Sequence, residues 1–219
     1  MSSVAVCVPT IPGRESLLER AVESTRVQSH VPDEICIALD QDADGAATTR
    51  NRAWRLTDCD YVAFLDDDDE LLPNHVKSLL RLADESGADV VYPWFRIIDN
   101  VGNDITANDP LRIKVGRALV TPFGLPFGDA HREELLTRNN FIPVTVLVRR
   151  TSLEQVDGFP RLNSPEWPEN CCEDWGLWRR LLAVGARFEH LPERTWLWRW
   201  HGQNTSGRPW KRSGSRRRG

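Results

Sequence analysis

The segment DYVAFLDDDDELLP (residues 60–73) passes from apolar residues straight into four aspartates and a glutamate. Its first half reads as a buried strand, and its second half as what that strand delivers to one end. Like charges so crowded repel, and each carboxylate makes its neighbour harder to ionise. The run is therefore either a solvated acidic turn or a place built for a cation. Its surroundings bear on the choice. VAVCV (Val4–Val8) is a short apolar run of the kind buried on both faces of a sheet. PTIPG breaks it, and RESLLERAVESTRVQ follows with Leu17, Leu18, Ala21 and Val22 on one helical face. EICIALD (Glu34–Asp40) is a second strand, TTRNRAWRL a short helix, and DYVAFLD the third strand. NHVKSLLRLADESG is a helix that Gly87 ends, and ADVVYPWFRIID a further strand. This alternation predicts an α/β fold, a mostly parallel sheet flanked by helices. Ligands of such sheets bind beyond the carboxyl ends of the strands. The loops after Val8, Leu39 and Leu65 would then share one rim.

The 219 residues suffice for one sizeable domain. A net charge of −4 conceals an asymmetry: the six basic residues after Ser206 leave −10 on residues 1–206. The basic end, 207–219, is expected to be a disordered tail. Five cysteines with no C-x-x-C spacing suggest reduced thiols and a cytoplasmic protein. The first residues lack the basic and apolar regions of a signal peptide, and no apolar run is long enough to span a membrane. The second half is less regular. NDPLRIKVGRALVTPFGLPFGD reads as long loops, FIPVTVLVRR as a strand, TSLEQVDGF as a short helix and turn, and EDWGLWRRLLAVG as a helix ended by Gly185. TWLWRWH (Thr195–His201) alternates with a strand's period, Trp196, Trp198 and Trp200 on one side, Arg199 and His201 on the other. The tryptophans suit either a core or a sugar platform.

Four groups carry chemistry. Asp66, Asp67, Asp68 and Asp69 offer hard oxygen ligands suited to Mg²⁺ or Mn²⁺. Asp40, Asp42 and Asp44 begin like a calcium loop, but its closing glutamate is here Asn51, so a rim loop accepting base or ribose hydrogen bonds fits better. Glu173 and Asp174 open a helix, where acids are common for the dipole alone but where a general base could also stand. His201 ends the last strand.

In this order and spacing the residues resemble family 2 glycosyltransferases of the GT-A fold, over roughly residues 4 to 206. VAVCVPT, IPGR and ESLLERAVESTRVQ are similar to the family's first strand, its Pro-Thr loop and a helix ending in S-x-x-x-Q. TTRNRAW is similar to A-R-N-x-G, and FLDDDDELLP to F-L-D-x-D-D-x-x-x-P. NNFIPVTVLVRRTSLEQVDGF, EDWGLWRRLLAVG and WHGQNTS complete the series. The resemblance implies a GT-A-type, Rossmann-like mixed sheet, a nucleotide-sugar donor, a divalent metal and inversion at the anomeric carbon. It would set Pro9, Thr10 and Arg14 beside the nucleotide, Asp40 or Asp42 at the base, and Arg50 with Asn51 near the donor. Asp66 would approach the ribose, with Asp67 beside it, and Asp68 the metal. Asp174, paired with Glu173, would be the catalytic base, and His201 a second metal or diphosphate contact. The usual Asp-Asp-Gly-Ser is here Asp40-Gln41-Asp42-Ala43, which leaves the base contact open between Asp40 and Asp42.

Uridine is the favoured base of the donor. The acceptor is left open among glycan, protein, lipid and modified nucleic acid. A nucleotidyltransferase is the enzymatic alternative, although it would want a Gly-rich basic loop where PTIPGR stands. A non-catalytic nucleotide- or nucleic-acid-binding protein is the other, since the basic tail could contact an anionic partner.

Overall fold

The computed structural model describes residues 2–110, 113–115, 118–120, 123–137, 140–160 and 172–201. The tail 207–219, the GQNTS stretch after His201 and Cys171 lie outside the described residues.

The first half alternates as expected: β1 (Val4–Thr10), α1 (Glu15–Arg26), β2 (Glu34–Leu39), α2 (Ala46–Trp54) and β3 (Tyr61–Phe64). After the acidic run come β4 (Glu70–Leu71), α3 (His75–Ser86) and β5 (Val90–Ile98). The sheet is completed by β8 (Leu147–Arg149) and β9 (Phe188–Arg199), and its strand order is β2-β1-β3-β8-β5-β9-β4. β1 is parallel to β2 and β3, and β5 is parallel to β9. β8 lies antiparallel between β3 and β5, and β4 antiparallel against β9. Hence β1, β2, β3, β5 and β9 point the same way, and their carboxyl ends form a single rim. The sheet is mixed and mostly parallel.

Burial follows the pleat. On β1, Ala5 and Cys7 face one core, shared with Val62 and Phe64 of β3, while Val4, Val6 and Val8 face the other, shared with Tyr61 and Ala63. α3 buries Val76, Leu79, Leu80 and Ala83 on one stripe. Gly87 stops it in the left-handed region at φ +69°, where a side chain would be strained. Trp196 and Trp198 are buried in the second core, with Trp200 packed against it, so the tryptophan face is chiefly core.

The less regular half departs from expectation. The long loops over 108–129 include a hairpin of β6 (Ile113–Val115) and β7 (Ala118–Val120). An unanticipated α4 (Asp129–Thr137) follows. Of the expected strand FIPVTVLVRR only β8 pairs; Phe141 and Ile142 are buried without joining a ladder. α5 (Arg150–Gln155) and α6 (Glu173–Ala183) occur where expected. β9 begins at Phe188 rather than Thr195 and bends at register shifts opposite Pro93–Phe95. Among the described residues no helix is long and apolar enough to cross a membrane.

Candidate active site

Three neighbouring strand ends open into one cleft of about 200 Å³. β1 supplies Pro9 and Thr10, the turn after β2 supplies Asp40, and the run after β3 supplies Asp66, Asp67 and Asp68. Arg14 from the loop before α1, Arg50 from α2, Glu173 from α6 and His201 after β9 complete its charged lining.

The four aspartates do not face one another unrelieved. Asp66 Oδ1 accepts from Arg50 Nη2 at 2.6 Å. Asp67 accepts from Thr10 Oγ1 at 2.7 Å through Oδ2, and from Arg14 Nη1 at 2.7 Å through Oδ1. Asp68 Oδ2 is shared by Arg14 Nη1 at 3.3 Å and His201 Nε2 at 3.0 Å. Asp69 is buried, and its Oδ1 accepts the Arg199 backbone N–H at 2.9 Å. Burial, then the charges of Asp68 and Asp66, hold the Asp69 carboxyl well above the usual range. Burial likewise raises Asp68, with Asp66 adding to it. Asp69 therefore braces the run from beneath, while Asp66 and Asp68 face the cleft.

Residues outside the cleft fix the run in place. Ser24 Oγ accepts the Leu71 N–H at 3.0 Å. Gln28 Nε2 donates to Leu72 O at 2.8 Å, and Gln28 Oε1 accepts the Val76 N–H at 3.1 Å. The S-x-x-x-Q pattern thus clamps the segment leaving the acidic run onto α1. From the other side Arg199 donates through Nε to Asp68 O at 3.1 Å, through Nη1 to Asp99 O at 3.0 Å, and through Nη2 to Glu70. The strand's parity was the available signal for Arg199: it stands opposite the tryptophans, two residues before His201.

Arg50 joins the two acidic centres. Its Nη1 donates to Glu173 Oε1 at 2.7 Å, while Nη2 holds Asp66. Burial opposes the charged guanidinium, but Asp66 and Glu173 outweigh it and raise its pKa. Burial also opposes the charged form of Glu173, yet Arg50 keeps that carboxyl below its ordinary value. Its neighbour is driven the other way. Burial, and then the Glu173 charge, push Asp174 up to about 6. Asp174 Oδ1 accepts the Trp175 N–H at 2.7 Å at the start of α6. Glu173, not Asp174, is the member of the pair that lines the cleft.

Of the two base-contact candidates, Asp40 borders the cleft and Asp42 is exposed outside its lining. Asp40 also caps its own turn, accepting the N–H groups of Asp44 at 2.8 Å and Gly45 at 2.9 Å. Asn51 faces away from the cleft. Its Nδ2 donates to Phe159 O at 2.8 Å, and its Oδ1 accepts from Phe159 N at 2.9 Å and Trp54 Nε1 at 3.0 Å. That carboxamide pins the turn after α5, whose Phe159 ring lies 5.6 Å under the Arg50 guanidinium. The turn needs Gly158: at φ +69°, an added Cβ would fall 2.3 Å from Asn51 Oδ1 and 2.7 Å from Trp54 Nε1. Gly158→Ala is expected to cost about 2 kcal/mol in urea unfolding. A loss below about 0.5 kcal/mol, the range of a neutral surface change, would mean that the turn relaxes freely.

The chain belongs to glycosyl transferase family 2, whose family model matches residues 40–157. Among solved structures it is similar to S. aureus TarS residues 1–349, with a TM-score of 0.63 at 17% identity over 90% of this chain and 60% of that one. The complex of the same TarS fragment with UDP-GlcNAc gives a TM-score of 0.63 at 16% identity, over 91% and 59%. The longer TarS structure gives 0.61 at 17% identity, over 90% and 37%. The chain thus spans about 60% of the TarS fragment it matches. These likenesses give the fold, that of GT-A glycosyltransferases. A comparison with curated protein sequences finds no match.

Proposed function

We propose that the chain transfers a sugar from a nucleoside diphosphate donor, UDP in the first instance, to an acceptor hydroxyl with inversion, assisted by Mn²⁺ or Mg²⁺. The carrying observation is that Thr10, Asp40, Asp66, Asp68, Arg50 and Glu173, from five separate segments, meet in one cleft at the carboxyl rim. Family membership favours this over nucleotidyl transfer, and a TarS fragment of like fold is seen with UDP-GlcNAc.

The donor set suits a hard divalent ion: carboxylate oxygens of Asp66, Asp68 and Asp69 lie within 4.8 Å of one another. With Asp69 braced on Arg199, Asp66 and Asp68 would hold the ion, and His201 stands beside Asp68. When bound, such an ion neutralises the charge of the departing diphosphate. Pro9, Thr10 and Arg14 would border the nucleotide, Asp40 would take the base, and Asp67, fixed by Thr10 and Arg14, would hold the rim. A carboxylate gripped by an arginine is a weak base, so Glu173 positions Arg50. Asp174, the residue after the cleft-lining Glu173 and titrating at about 6, would take the proton of an acceptor seated beside the cleft. The acceptor oxygen then bonds to the anomeric carbon as the bond to the diphosphate breaks on the opposite face. Residues 1–206 form the catalytic domain in this reading, and the basic end 207–219 serves an anionic partner. The protein would work in the cytoplasm.

Thermal unfolding with UDP, GDP, CMP and dTDP, each with and without Mn²⁺, tests the donor. At 100 times Kd a ligand adds about 2.7 kcal/mol. For a chain of this size that is a rise of about 5–10 °C. A Mn²⁺-dependent rise with UDP is expected. No rise with any nucleotide would overturn the reading.

A further inference from the structure

The cleft contains two arginines of different character. Arg50 is sunk to 6% side-chain exposure and held on both sides, by Asp66 and Glu173. Arg14 is 33% exposed and reaches the acidic run through a single nitrogen, Nη1, which touches both Asp67 Oδ1 and Asp68 Oδ2. Its backbone is fixed, since its carbonyl accepts the N–H groups of Leu17 at 3.0 Å and Leu18 at 2.9 Å at the head of α1. Only the side chain is left to move. Asp68 Oδ2, on the carboxylate assigned above to the metal, therefore already carries two donors, Arg14 and His201.

We infer that Arg14 is a resident counter-cation that must leave Asp68 before a divalent ion binds there, and that the donor's diphosphate is what draws it away. This rests on the proposed function. A guanidinium and a divalent ion repel, and they compete for the same oxygen. A diphosphate offers Arg14 a fork-shaped acceptor that a carboxylate already shared with His201 does not. Asp67 keeps its Thr10 hydrogen bond throughout and stays in register when Arg14 turns. Metal and nucleotide then bind as a coupled pair. Each raises the affinity of the other by the same factor, as linkage requires.

The two ligands respond to loss of Arg14 with opposite sign. Arg14→Gln removes the competitor, so Mn²⁺ should bind about tenfold tighter without nucleotide. It also removes a phosphate partner, so UDP should bind about tenfold weaker at saturating Mn²⁺. Arg14→Lys keeps the positive charge and should restore weak nucleotide-free Mn²⁺ binding, while recovering UDP affinity only in part. A residue acting only as a structural ion pair would move both affinities in one direction, or neither.

The measurements are Mn²⁺ binding by electron paramagnetic resonance, for the full chain with and without UDP and corrected for Mn²⁺ held by UDP alone, and UDP affinity at saturating Mn²⁺ by calorimetry, for the unchanged protein and both variants. Tighter nucleotide-free Mn²⁺ binding in Arg14→Gln together with weaker UDP binding supports the inference. Unchanged or weaker nucleotide-free Mn²⁺ binding overturns it, and the proposed function stands if the unchanged protein still binds Mn²⁺ with UDP. Should Arg14→Gln not fold, the unchanged protein decides: equal Mn²⁺ affinity with and without UDP overturns the inference, and an increase of about tenfold with UDP supports it. A chain that binds no Mn²⁺ with any nucleoside diphosphate overturns the proposed function, and this inference falls with it.

Discussion

Asp174→Asn is expected to lower glycosyl transfer by about 10²–10⁴-fold, the range of a lost general base, with UDP binding little changed. The direction of the Asp174 shift adds two signatures. A base works deprotonated, and burial together with Glu173 places the titration at about 6. Transfer by the unchanged protein should therefore be level above that pH and fall about tenfold per pH unit below it. For stability the sign is reversed. A carboxyl raised on folding binds its proton more tightly folded than unfolded, so stability is greatest below the unfolded value and declines as pH rises to about 6. Asparagine never bears the charge. At pH 7 the variant should be more stable by about 1–2 kcal/mol, allowing for partial solvent exposure and the helix-terminal field it gives up. Slower transfer in a more stable protein would mark a functional charge held at a cost to the fold. Near-normal transfer would remove Asp174 from the chemistry.

Arg50→Met is the other large effect. The substitution keeps much of the buried bulk but leaves Asp66 and Glu173 facing each other without their shared cation. Breaking a buried ion pair from one side costs about 3–5 kcal/mol. The two acids here are 32% and 28% exposed, which favours the lower end of that range. Urea unfolding at pH 7 should show a loss of about 3 kcal/mol, and adding Glu173→Gln should recover part of it. A loss under about 1 kcal/mol would mean that water replaces the guanidinium without difficulty.

The parts of the fold that local pattern determines were legible in the sequence. Buried parallel strands such as VAVCV have their own composition, helices their own stripe, and Gly87 its own backbone angle. The rule that parallel strands present ligands at their carboxyl ends then brought Thr10, Asp40 and Asp66–Asp68 together, as the cleft does. Non-local partners were not legible. The insertion of β8 between β3 and β5 depends on pairing across some 85 positions, which no short pattern encodes. α4 was hidden by the Gly and Pro residues before it. Asn51 sat in a motif that suggested the donor, yet its carboxamide is consumed by Phe159 and Trp54. The acidic run looked like one unit, but Asp69 is turned inward to Arg199, a partner 130 residues away.

That separation has a consequence for how the protein is made. The acidic run leaves the ribosome well before Arg199 and His201, which lie 131 and 133 residues beyond the Asp68 they hold. A nascent chain ending before β9 carries Asp68 and Asp69 without these partners and lacks the strand against which β4 pairs. Contacts of such sequence separation form slowly, because the closure of long loops precedes their reward. The acidic rim is thus completed only once β9 is in place, and a polypeptide truncated within β9 would be left with that edge unfinished.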